Sequence, residues 1–417
     1  MSVDLGTLKM DDVLRRLGST EKHVSVASST TAHGWTSIIA WNPVKVFETP
    51  FDDSTNPTSR LEKFVQDQQT DGRLTIGYLS YDLGCTLHQV TMTTDDDLHT
   101  PLVFALAFDN WISFDQEGST FHSKTDTFDD EVASILSRPS RPQPTSLYEK
   151  APSPVWPRES YNAAYQKVHD YIEAGDIYQA NLTHRLEGTT ELDGLDIYRK
   201  VSITSQADFQ IYIGGTDFEV ISASPERFVR IVGGKIETSP IKGTRPRGTN
   251  AAQDEALRLD LETNVKDLAE LNMITDLMRN DLGAVSEIGS VAVSEKRVLT
   301  SYPTLWHAHS TITSELRSDI SPIRALISLM PGGSITGCPK KRAMEIIDEV
   351  EVKRRGIYTG SIFVIQPTGE LDSNIAIRTM IKKGADVYLS VGGGIVYDSK
   401  LSDEYDETIQ KAAVFLN

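Results

Sequence analysis

Cysteine is nearly absent: Cys85 and Cys338 are the only two in 417 residues. So few thiols exclude a disulfide framework and fit a reducing compartment, the cytoplasm. Basic residues are in deficit, 41 Lys and Arg against 59 Asp and Glu, which leaves a net charge of −18. The chain therefore has no cationic footprint for nucleic acid or an anionic membrane. The longest apolar run, near Leu102 to Phe108, is far too short to span a bilayer. Met1-Ser2-Val3-Asp4 lacks the basic-then-apolar pattern of a secretory signal. No Walker loop is present, and no Gly-x-Gly-x-x-Gly opens a helix. What remains, 39% hydrophobic and 24% charged, is the composition of a soluble globular protein with a sizeable core. An acidic protein that takes an anionic substrate needs a local cationic site or a metal.

Three regions are expected. Residues 1–137 read as mixed strand and helix, with strand-like runs at Trp35–Trp41 and Leu102–Phe108. Residues 138–157 hold six prolines and read as a connection. In residues 158–417 a helix over 160–174 is closed by Gly175. Strands follow at 177–182, 209–213, 218–222, 228–232 and 235–238, then helices at 252–262, 265–282, 322–330 and 339–350. Strands recur at 357–365, 375–382 and 385–391, and Ser402 caps a last helix that runs to Leu416. The alternation lacks the strict beat of a Rossmann fold.

Several stretches carry chemistry. Pro240-Ile241-Lys242-Gly243-Thr244-Arg245-Pro246-Arg247-Gly248 puts one lysine in what reads as a stiff turn between prolines and glycines. A lysine held away from water can lose its proton near neutral pH and act as a nucleophile; otherwise it is a solvated lysine in a basic turn. Asp267 with Glu270, and Glu404 with Glu407, are carboxylate pairs at i, i+3 spacing, each on one helix face. Brought together, the two faces would suit Mg²⁺, which takes one or two carboxylates plus waters and substrate oxygens; apart, each is a wet helix face. Glu226, in Ser222-Ala223-Ser224-Pro225-Glu226-Arg227-Phe228, precedes Lys242 by sixteen residues across an apparent hairpin, so pairing could bring both into one cleft. Arg378 fits a bidentate carboxylate clamp. Gly392-Gly393-Gly394 can offer bare N–H groups to an anion, and Pro331-Gly332-Gly333-Ser334 opens a Gly-rich loop that feeds a helix N-terminus.

These stretches together resemble the chorismate-using enzymes, the family of the anthranilate, aminodeoxychorismate, isochorismate and salicylate synthases. The resemblance is dense from about residue 160 onward; Glu270 to Gly283 and Ser402 to Glu407 match its longest signature and its C-terminal acidic motif. It implies an α+β sandwich of two stacked, mainly antiparallel sheets with helices outside, and an enzyme that uses Mg²⁺ to grip a chorismate carboxylate. Glu270 and Glu407 then correspond to direct ligands, and Asp267 and Glu404 to partners behind them. Glu226 takes the place of the general acid, and His307, in the His-x-x-Ser of His307 to Ser310, that of an active-site histidine. Arg378, Tyr358, Gly392, Gly394, Ser334 and Thr244 correspond to substrate contacts.

Two positions separate family members. Isochorismate and salicylate synthases carry a water-activating lysine where this chain has Gln179. Anthranilate synthases usually carry alanine where this chain has Lys242. The resemblance thus favours the large subunit of an aminodeoxychorismate synthase, in the transaminase class, acting for folate synthesis. Neither cysteine has a glutaminase setting, so a separate glutamine amidotransferase subunit would supply ammonia. The alternatives are an anthranilate synthase large subunit, against which Lys242 speaks, and a non-catalytic chorismate-binding subunit, against which the full set of acids and bases speaks.

Overall fold

In the computed structural model, two antiparallel sheets stack with helices on their outer faces. It describes all residues except 1, 5–7, 19–20, 32–33, 51–55, 206, 303–304 and 417, and only the backbone of 2–4, 31, 34 and 35. Among the described residues one sheet has twelve strands and the other ten. The expected sandwich is therefore the observed one.

The core explains the stacking. Ala27, Ile38, Ile211, Ile213 and Val220 of the larger sheet meet Leu74, Ile76, Tyr78, Phe104 and Leu106 of the smaller. Phe104 stands edge-on to Phe218, ring centroids 5.2 Å apart. Each such side chain removed from water contributes roughly 1.5–3 kcal/mol, so the two sheets have little freedom to slide. Strands from the N-terminal region build the far ends of both sheets: Ser25–Thr31 pairs with Phe209–Gly214 in one, and Leu74–Leu79 with Ser361–Ile365 in the other. Within the Pro-rich stretch, Lys150–Pro154 lies along the strand Gln179–Thr189.

Four expectations change. Residues 375–382 are not one strand. Leu371–Ile375 belongs to the smaller sheet and Thr379–Lys383 to the larger, and the chain crosses between them at 376–378, with Arg378 at φ +48°. Residues 357–360 lie outside the strand that begins at Ser361. The strand expected at 385–391 runs on to Ile395, so the three glycines sit inside it, paired with Asn181–Thr183. Lys242 is not in a turn: it lies on the edge strand Ile241–Pro246. That strand pairs with Leu305–Glu315, and its register slips between Ile241 and Thr244. The slip is a bulge at Lys242 and Gly243. Gly243 has φ +90°, and an added Cβ would stand 2.8 Å from Leu261, so the bulge needs glycine.

Candidate active site

Two crossovers between the sheets create the site. The larger sheet's strand Glu219–Ser224 passes through Pro225 and Glu226 into Arg227–Val232 of the smaller. Beside it runs the crossover at 376–378. The backbone ties the pair together: Ile375 N–H donates to the Glu226 carbonyl at 3.0 Å, and Ala223 N–H to the Arg378 carbonyl at 2.9 Å. A residue at such a crossing belongs to neither ladder, so its side chain is free to serve the cleft.

Glu226 is buried. Burial pushes its carboxyl above the ordinary value, against a hydrogen bond from Ser334 and the charges of Lys242 and Lys411. Ser334, also buried, lies in the short 3₁₀ turn Gly333–Ile335. A carboxyl with a raised pKa keeps its proton nearer neutrality, as a general acid must. Arg378 is half-buried, and burial lowers its guanidinium, with no carboxylate among the described residues paired with it. A desolvated cation without a counter-ion is a receptor for an anionic ligand. Tyr358 is buried, and burial raises its phenol, with the charges of Arg355 and Glu351 beside it.

His307 sits in the strand Leu305–Glu315, opposite Thr244 on one side and Thr300 on the other. Its Nδ1 is 2.8 Å from Thr244 Oγ1, and burial, with Arg378 adding to it, pushes the ring down to about 4. At neutral pH it is an uncharged imidazole. Pro303 and Thr304, just ahead of this strand, lie outside the described residues.

Lys242 is half-buried and is an electrostatic neighbour of Glu226, Glu270 and Glu407 at once. The hairpin expected between Glu226 and Lys242 is there as Arg227–Val232 with Lys235–Thr238. Its second strand breaks at Ser239-Pro240 and resumes as Lys242's strand, both laid along Leu305–Glu315.

The carboxylates come from two helices, Val265–Gly283 and Leu401–Leu416. Burial raises Glu270, Lys242 and Lys266 oppose that, and Asp267 and Glu404 add to it. Glu404 is buried, with Oε1 at 3.4 Å from Lys266 Nζ. The Glu407 side chain is 55% exposed; what burial it has would raise its carboxyl, but Lys411, paired with it at 2.8 Å, together with Lys266 and Lys242 holds it below the ordinary value. Asp267, whose charge also reaches Glu270, pairs through Oδ2 with Arg245 at 3.0 Å. Among the described residues no three His, Cys, Asp or Glu side chains gather closely enough to hold a metal by themselves. Gln179 is wholly buried, and its carboxamide finds no hydrogen-bond partner among the described residues. A Cβ on Gly394 would stand 2.7 Å from its Nε2, and one on Gly392 2.6 Å from the Leu182 carbonyl.

A sandwich whose crossovers present a buried acid, an unpaired arginine and a lysine among carboxylates is joined by a direct match of sequence. Residues 23–417 fit the family model described as chorismate binding enzyme. The chain belongs to the chorismate binding enzymes. It is 35% identical over 355 residues to the aminodeoxychorismate synthase component 1 of Bacillus subtilis, covering 81% of this chain and 75% of that one. It is 34% identical over 394 residues to the anthranilate synthase component 1 of Pseudomonas aeruginosa, covering 87% and 80%. The anthranilate synthase component I of Streptococcus pneumoniae TIGR4 superposes with a TM-score of 0.81 at 28% identity, covering 92% of each chain. Similarity to both kinds of component 1 is equal in degree, so overall identity does not choose between them. Among the described residues no helix is long and apolar enough to cross a membrane.

Sequence reasoning missed Lys266 and Lys411, which stand against the acidic pairs. The signal was present: Lys266 is four residues before Glu270, and Lys411 four after Glu407, so each pair shares a helix face.

Proposed function

We propose that this chain is the large subunit of an aminodeoxychorismate synthase, which converts chorismate and ammonia to 4-amino-4-deoxychorismate through a Lys242 adduct. The observation that carries this reading is Lys242 itself, held on a bulge within reach of the buried acid Glu226.

In the first step the Lys242 amine attacks carbon 2 of chorismate. The ring double bonds shift, and the hydroxyl on carbon 4 leaves as water with the Glu226 proton. The amine then gives up a proton, which restores Glu226. In the second step ammonia adds at carbon 4, the double bonds shift back, and the lysine leaves carbon 2 with a proton. Splitting one displacement into two is the logic of covalent catalysis. Neutral His307, held by Thr244, lies beside Gly243 and can accept a hydrogen bond from the substrate without adding charge. Arg378 takes a substrate carboxylate, with Tyr358 and the glycine strand closing around the ring.

Glu270 and Glu407, with Glu404 behind them, would hold a Mg²⁺. The donor set suits a hard cation: carboxylates from two helices, each beside a lysine that a metal could displace. Such an ion supplies charge neutralisation and orientation for a substrate carboxylate. Ammonia would come from glutamine through a separate amidotransferase subunit. In this chain burial pushes up both thiols, Cys85 and Cys338, the reverse of an activated thiolate. The product would feed p-aminobenzoate and folate synthesis.

Intact-mass analysis with chorismate and no ammonia tests the adduct. The wild type gains the mass of chorismate less water, and Lys242→Ala does not. Ammonium-driven formation of aminodeoxychorismate by the alanine variant at the wild-type rate would overturn the covalent step. Anthranilate as the product would establish the second reading, which the Pseudomonas aeruginosa and Streptococcus pneumoniae relatives favour.

A further inference from the structure

Lys266 projects from the first turn of the helix Val265–Gly283. Its ammonium lies 3.4 Å from Glu404 Oε1 and 4.0 Å from Glu270 Oε1, and its charge reaches Glu407 as well. It therefore stands among the three carboxylates assigned above to a divalent cation. Two of them come from different helices, and Glu404 is buried. Without a cation between them, the buried Glu404 and the largely buried Glu270 repel each other. Lys242 already acts on Glu270, and Lys266 adds the ammonium that lies between Glu270 and Glu404. Its own side chain is 42% exposed, so water can receive the ammonium when it withdraws.

We propose that Lys266 is a built-in competitor for the divalent cation: it bridges Glu270 and Glu404 when no metal is bound and leaves when one binds. The inference rests on the reading of these carboxylates as the Mg²⁺ site. It explains how acids from two helices can face one another before metal arrives. It also makes metal affinity lower than the carboxylates alone would give, because each binding event breaks the Lys266 contacts. A substrate carboxylate that shares the metal then offsets that loss, so metal and substrate bind better together than apart.

The test uses calorimetry with Mn²⁺ and with Mg²⁺ on the full chain, without chorismate. Lys266→Met keeps the aliphatic stem and removes the ammonium. Lys400→Met makes the same change of charge at an exposed position next to the acidic helix. Glu270→Gln removes a ligand. Lys266→Met should bind Mn²⁺ about 5-fold more tightly than wild type, the scale of a partly exposed ion pair. Lys400→Met should stay within about 1.5-fold on the same scale. In EDTA, Lys266→Met should melt below wild type, and saturating Mn²⁺ should raise its melting temperature by more than it raises that of wild type.

Equal or weaker Mn²⁺ binding by Lys266→Met, with Glu270→Gln still abolishing it, would overturn the competitor and leave the cation site standing. An equal gain in Lys400→Met would overturn it too, as a plain effect of net charge. Binding that Glu270→Gln leaves intact in both wild type and Lys266→Met would overturn the cation site itself. If Lys266→Met fails to fold, Lys266→Gln repeats the comparison with a polar stem.

Discussion

Replacing Glu226 by glutamine separates its chemistry from its packing. The side chain is 6% exposed, and its surroundings raise its carboxyl through burial. Gln has the same shape and can keep the contact with Ser334, so the sandwich should fold unchanged. It cannot deliver a proton to the leaving hydroxyl. General acid catalysis contributes about 10²–10⁴-fold, so kcat with saturating chorismate and ammonium should fall by that factor while KM for chorismate holds. The pH profile identifies the group. In the wild type the rate should fall as pH rises through the raised Glu226 value; in Glu226→Gln that alkaline limb should vanish. Wild-type stability should fall in the same direction. A carboxyl with a folded pKa above its unfolded one stabilises the fold at low pH, and that stability is lost as pH rises through the folded value. Glutamine does not ionise, so the variant should lose less stability than wild type between pH 5 and 8 in urea titrations. A near-normal rate with the alkaline limb intact would refute Glu226 as the acid, whatever the stability data show.

Other variants probe the rest of the site. Glu270→Gln and Glu407→Gln should each weaken Mg²⁺-dependent chorismate binding in calorimetry, with no change in EDTA. His307→Gln should flatten acid unfolding: burial holds the native ring at about 4 against an ordinary 6.5, so the fold is fully favoured above 6.5 and loses up to about 3 kcal/mol as pH falls towards 4. Urea midpoints at pH 7 and 5 measure that slope; His184, also near 4 through burial, leaves a residual one. Gly392→Ala should cost about 1–3 kcal/mol of stability and weaken chorismate binding, because its Cβ would meet the Leu182 carbonyl at 2.6 Å with nothing free to yield.

Legibility in the sequence followed the range of the forces involved. Helix 265–283 was read to within a residue, and its start is fixed locally: Asn264 caps it, accepting from Asp267 N–H at 2.9 Å. The hairpin Ala292–Ser301 with Leu305–Glu315 was not read at all. Its outer strand is mostly exposed or half-buried and repeatedly slips register, so no clean alternation of apolar residues announces it. The break at Arg378 was equally hidden. Nothing local in Ile375-Ala376-Ile377-Arg378-Thr379 forbids a continuous strand; the change of sheet is set by distant partners, Arg227–Val232 on one side and Glu219–Ser224 on the other. Site residues were found through motif resemblance, and their neighbours were not: no pattern shows that Asp267 pairs with Arg245 or that Lys266 reaches Glu404.

The crossovers explain why this fold suits its chemistry. A residue within a sheet alternates between two fixed faces, and its backbone is spent on neighbours. Where a strand leaves one sheet for the other, the ladder is interrupted, and a charged side chain can stand at the seam between two rigid bodies. Glu226 and Arg378 occupy two such crossings, tied back to back through Ile375 and Ala223. The acid and the arginine are thereby fixed by both sheets at once. Lys242 obtains the same freedom by another route, a bulge on an edge strand, where Gly243 lets the backbone turn out of register. The proposed acid, anion receptor and nucleophile thus occupy two kinds of place where a sandwich can release a side chain without breaking its core, a crossing between sheets and a bulge on an edge strand.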